Sequence, residues 1–128
     1  MAFTINYNDE PFELDYFAKV IMFQKIIDLD INKNTKSVLL YVLRKTLCFD
    51  KFEDRLSMYH LQQKLELSSS TLRKSIEIAE EKQLLKVTRS KGGDMQSNKR
   101  FNKFRLSDSL IIELIDFIEE VRYNNDFK

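Results

Sequence analysis

The sequence predicts a mainly α fold with a small β-hairpin, a winged helix-turn-helix followed by one C-terminal helix. Three observations predict it. Two amphipathic stretches of helical period, Met58 to Leu65 and Ser69 to Gln83, are separated only by Glu66, Leu67 and Ser68. Two stretches of strand character follow, Leu84 to Arg89 and Phe101 to Leu106, joined by a basic loop that holds both glycines of the chain, Gly92 and Gly93. A single proline in 128 residues leaves little room for irregular structure. With 43% hydrophobic and 32% charged residues, the chain has the balance of one globular domain rather than a disordered segment.

Taken in order, residues 1–16 lack periodicity and read as an N-terminal arm, residues 17–106 as the winged helix, and residues 107–128 as a C-terminal helix. Apolar residues crowd from Phe17 onward and give a helix from about Ile21 to Asp28, after a short extended piece. Asp28-Leu29-Asp30-Ile31-Asn32 mimics the start of a calcium loop, but Lys33 stands where glycine is required and Leu39 where glutamate is. Asn34 or Thr35 is expected to cap the next helix, which runs to about Thr46. Val38, Leu39, Val42 and Leu43 line its inner face, and Arg44 and Lys45 suit its C-terminal dipole. Ser57 and Ser68 cap the two helices of the helix-turn-helix.

In the second of these helices Leu72, Ile76 and Ala79 point to a core. At about 100° per residue the opposite face carries Ser70, Arg73, Lys74, Glu77 and Glu81. In the second strand Phe104 and Leu106 alternate with Lys103 and Arg105, the period of a half-buried strand. From Lys86 to Arg105 seven cations face a single anion, Asp94, so the hairpin carries +6. The whole chain is only +1, because its charge is segregated. Residues 1–30 carry −4, 31–60 carry +3, 61–106 carry +6 and 107–128 carry −4. A basic middle between acidic ends fits a polyanionic partner at one face.

Double-stranded DNA is the partner this pattern suits. Ser69, Ser70, Arg73, Lys74 and Glu77 would face a major groove, where Arg pairs with guanine and Ser with a base or phosphate. Arg89, Lys91, Lys99, Arg100 and Lys103 would hold phosphates or enter the adjacent minor groove. The rival reading is a protein-interaction module without DNA, supported by Glu77, Glu80 and Glu81, which repel phosphate. No catalytic set is expected, since His60 is the only histidine and Gly92-Gly93 lacks the residues of a phosphate loop. No cofactor or metal is expected either, as Cys48 has no zinc-spaced companion. Cys48, the only cysteine, suits a buried thiol in the cytoplasm, and no apolar run reaches membrane-spanning length.

Ser107 or Ser109 is expected to cap the last helix, which runs to about Tyr123. Leu110, Ile111, Leu114, Phe117, Ile118 and Val121 form a broad apolar stripe on it. Either the first helices of the same chain or the same helix of a second chain could cover that stripe. The second arrangement, a homodimer through the C-terminal helix, is the expectation, since it matches a two-fold DNA site.

The stretch from Val42 to Ser57, with its Arg44-Lys45-Thr46 followed by an aromatic, a charged loop and Asp54-Arg55-Leu56-Ser57, resembles the N-terminal domain of phage replication protein O. The likeness continues through Leu65 to Leu72 and Leu84-Leu85, and covers about residues 17–106. It departs at Gln83, where the family usually ends the recognition helix with glycine, and at Ile21-Met22, where Pro-Asn is common. The resemblance implies a winged helix that binds repeats at a replication origin, in a phage or mobile element. Transcriptional regulation is the alternative use of the same DNA-binding surface.

Overall fold

The computed structural model describes residues 3–89 and 101–126. Each of the five α-helices among these residues opens on a short polar side chain that accepts from an amide in the first turn. Asp15 accepts from the Ala18 amide at 2.8 Å and starts α1, Tyr16–Ile27. Asn32 accepts from Thr35 at 2.8 Å and starts α2, Lys33–Lys45. Ser57 accepts from His60 and starts α3, Met58–Leu65. Ser68 accepts from Thr71 and starts α4, Ser69–Glu81. Ser107 accepts from Leu110 and starts α5, Asp108–Asp126. The caps at Ser57, Ser68 and Ser107 match the sequence reading. Two others differ: Asn32 caps α2 in place of Asn34 or Thr35, and Asp15 starts α1 well before Ile21.

The N-terminal residues are not a loose arm. They form a hairpin, β1 (Thr4–Tyr7) paired antiparallel with β2 (Glu10–Glu13). Asn8 and Asp9 join them with φ of 52° and 64°, both in the left-handed region. Asn and Asp tolerate that region and favour two-residue hairpin turns. Ile5, Phe12 and Leu14 are buried in the common core. The Tyr7 hydroxyl donates to Asp116, which ties the hairpin to α5.

Three strands make the wing sheet, in the order β3 (Asp54–Ser57), β5 (Phe101–Leu106), β4 (Leu85–Thr88), all antiparallel. Arg55 and Leu56, just before α3, therefore lie in a strand, with Leu56 opposite Asn102. Asn102, Phe104 and Leu106 of β5 are buried while Phe101 and Lys103 are exposed. The chain order α2, β3, α3, α4, β4, β5 is that of a winged helix-turn-helix, with a hairpin and α1 before it and α5 after it.

α4 ends in a paired closure. The Leu84 amide donates to the Ala79 carbonyl at 2.9 Å and the Gln83 amide to Glu80 at 3.0 Å, the pattern that accompanies a left-handed residue just past a helix. That residue is Gln83, with φ 58°. Its carbonyl accepts from the Ser107 and Ser109 hydroxyls, which joins the end of α4 to the start of α5. A β-carbon in the left-handed region costs about 1 kcal/mol. Gln83→Gly is accordingly expected to raise stability by about 1 kcal/mol, read as a higher denaturation midpoint at unchanged slope. The glycine keeps the carbonyl that both serines use.

The apolar stripe of α5 is spent inside the chain. Leu110, Ile111, Leu114, Ile115 and Ile118 are all buried, packed largely on α1. Phe117 is half-buried beneath the Lys25 ammonium, 5.0 Å from the ring centre. A homodimer made by the buried part of that stripe would have to replace contacts that α5 already makes with α1 of the same chain, while Phe117 and Val121 of the stripe are only partly buried. No helix among the described residues is long and apolar enough to cross a membrane.

Candidate nucleic-acid interface

α4 is held from below and open above. Leu72, Ile76 and Ala79 are buried under it, and the Ser75 hydroxyl is turned back onto the Thr71 carbonyl at 2.8 Å. Ser69, Ser70, Arg73, Lys74 and Glu77 are all exposed on the other side. Ser70, Arg73, Lys74, Glu77 and Glu81, the residues that periodicity assigns to one face, are all exposed.

That face has two borders. Toward the wing, Arg73 and Glu77 line a cleft of about 320 Å3 with Met58, Ile76, Val87, Arg89, Asn102 and Phe104. Its floor is apolar, and its rim carries two guanidinium groups and one carboxylate. Toward the other side, Ser70 and Lys74 share a shallow groove with Asn32, Lys33 and Asn34, the first residues of α2. An N-terminal helix end with nearby ammonium groups is suited to a phosphate. The sequence expectation for the DNA-facing surface does not include these α2 residues. The +3 of residues 31–60 hinted at them, but sequence alone does not place the start of α2 beside α4.

The cations expected in the wing separate. Arg89 is gripped by Glu80 of α4 through both guanidinium nitrogens, at 2.7 and 3.1 Å. That hydrogen-bonded carboxylate pushes the Arg89 pKa up further, and the pair pins the base of the wing to α4. Lys103 lies on the face of β5 opposite Asn102 and Phe104, since side chains alternate along a strand. It stands 3.8 Å from Glu53 there, away from the cleft. Lys91, Lys99 and Arg100 fall outside the described residues.

His60, the single histidine, is hydrogen-bonded to the Tyr41 hydroxyl at 2.9 Å. It joins α3 to α2, and burial pushes the Tyr41 pKa up. Cys48 is half-buried in the short 3-10 turn Leu47–Phe49, and burial raises its thiol pKa, which disfavours the reactive thiolate.

No family model and no curated protein matches the chain. Solved structures do resemble it. A possible transcriptional regulator from Methanosarcina mazei Go1 shares 15% identity, with 95% of this chain and 89% of that one covered at a TM-score of 0.47. S. aureus MepR in a DNA-binding conformation shares 19% identity, over 84% of this chain and 74% of MepR, at a TM-score of 0.48. Bordetella bronchiseptica BpsR shares 21% identity, over 85% and 76%, at a TM-score of 0.43. At these identities the likeness is one of fold.

Proposed function

We propose that the chain binds duplex DNA in a sequence-selective way, α4 lying in the major groove, and that it serves as a transcriptional regulator. The observation that carries the DNA reading is the uncovered face of α4, with Arg73 toward the wing and Lys74 beside Lys33. In this pose Arg73 reads guanine, Ser69 and Ser70 bond bases or phosphates, and Glu77 accepts from a cytosine amine. Lys74 and Lys33 contact the backbone on the α2 side, and Lys91, Lys99 and Arg100 contact it from the wing. The M. mazei protein is described as a possible transcriptional regulator, and BpsR as a protein whose DNA binding is regulated. The resemblance to replication protein O would put the same surface at an origin.

The interaction-module reading leaned on three anions of α4. Glu80 is already neutralised by Arg89, so the open face carries a weaker negative field than the sequence implied. Glu80→Gln should free Arg89 and remove an anion. Its expected result is tighter binding to every duplex and a dependence of log affinity on log salt steeper by about one. Random-sequence selection followed by salt titration tests the main reading. A preferred motif with a steep salt slope supports it, and salt-independent or undetectable binding defeats it. Footprints of the selected motif over a promoter, against footprints over an origin, decide between the two uses.

A further inference from the structure

The cleft against α4 uses one face of the wing sheet, through Val87, Asn102 and Phe104. Side chains alternate along a strand, so the residues between them make the opposite face. There Arg55 of β3 lies directly across from Lys103 of β5, and Lys86 of β4 directly across from Arg105 of β5. Arg55, Lys86 and Lys103 are exposed and Arg105 is half-buried. Like charges set directly opposite each other destabilise a sheet, and this sheet holds two such pairs side by side. Carboxylates answer them in part. Asp108 bonds Arg105, and Glu53 stands 3.8 Å from Lys103 with both side chains about half exposed. Arg55 and Lys86 have no ion pair among the described residues.

Aromatic rings border the same face. Phe101 shares the outward side of β5 with Lys103 and Arg105 and is 47% exposed. Phe52 lies 5.6 Å from the Arg105 guanidinium and 5.1 Å from the Phe3 ring, and is still 37% exposed. The outward row of β5 therefore runs ring, cation, cation, with a second ring beyond the last cation. Phe101 and Arg105 are four residues apart, about 13 Å at the rise of a strand.

We propose that this outer face of the wing sheet binds a single-stranded stretch of nucleic acid. Phe101 stacks on an unpaired base, Arg55 and Lys86 hold phosphates on its flanks, and Lys103 exchanges the distant Glu53 for a phosphate. Phosphate between the opposed cations offsets their mutual repulsion. Arg105 stays with Asp108 and keeps the Phe52 ring in place. The rings select a single strand over a duplex. A duplex presents phosphates and groove edges, and its bases are stacked on one another, so a ring on an open sheet meets no base there. An unpaired base has a free face for it. The face lies behind the cleft, so the proposal goes beyond the duplex reading and does not depend on it.

Fluorescence anisotropy of a labelled oligothymidylate of about 15 nucleotides, titrated with the full chain, tests this. Oligouridylate of the same length tells DNA from RNA, and binding of either supports the proposal. Phe101→Ala should weaken binding roughly tenfold. Arg55→Gln together with Lys86→Gln should lower the dependence of log affinity on log salt by about 0.7 for each cation. These side chains are exposed, so the circular dichroism spectrum should not change. Lys74→Ala, on the α4 side of the molecule, should leave the oligomer bound as before, and so should a scrambled duplex added in excess. Absence of binding at about 100 µM protein overturns the proposal. An oligomer that binds Phe101→Ala and the double variant as tightly as the wild type, or that the duplex displaces mole for mole, overturns it equally.

Discussion

Arg73→Ala is expected to flatten the base preference at one position of the bound site while leaving non-specific affinity almost unchanged. Arg73 stands exposed on the open face of α4, one turn before Glu77 and beside the apolar cleft against the wing. Its planar fork can pair with two acceptors of one guanine edge, a contact that contributes about 1–3 kcal/mol of discrimination. Removing it should cost that amount on the preferred sequence, roughly tenfold to a hundredfold in affinity, and little on a scrambled duplex. Lys74→Ala makes the contrast. Its ammonium borders the groove at the start of α2 and is assigned to a phosphate. Its loss should weaken all sequences alike and reduce the salt slope by about one. Equal losses on every duplex from Arg73→Ala would mean that α4 does not read the groove.

Why Arg73 could be named at all is a matter of period. Leu72, Ile76 and Ala79 fix which side of α4 is buried, and a helix of known register then exposes Ser70, Arg73, Lys74 and Glu77 by geometry alone. Ser57 and Ser68 mark both helix starts, and the alternation of β5 marks the wing. What stayed hidden is what the helices and strands do to one another. Arg89 and Glu80 are nine residues apart, and only the left-handed turn at Gln83 brings them together. Lys103 reads as basic like its neighbours, yet the pleat turns it to the far face of the sheet. Lys33 is the first residue of an unremarkable helix and comes to border the open face of α4 because α2 packs across α4.

The N-terminal hairpin failed for a different reason. Its strands are four residues each, too short for alternation to stand out, although Ile5 and Tyr7 on one side of Asn8-Asp9 and Phe12 and Leu14 on the other carried the signal. α1 hid its start because it is apolar on both sides, so no polar face set off its first turn. In α5 the stripe announced burial correctly and said nothing of its partner. Hydrophobic period specifies that a face must be covered. Chain connectivity, here the serine clasp on the Gln83 carbonyl, decides by what.

That last distinction has a measurable form. Leu114 is fully buried on the inner face of α5, which packs on α1. Leu114→Ala is expected to cost about 2–5 kcal/mol, the lost transfer energy plus the cavity left behind. Such a loss is a large share of the roughly 5–15 kcal/mol that holds a domain of this size folded. Urea denaturation of the wild-type and Leu114→Ala chains at two protein concentrations checks this. If α5 packs within its own chain, the cost of Leu114→Ala is the same at both concentrations. A cost that changes with protein concentration would place α5 in an interface between chains rather than in the core.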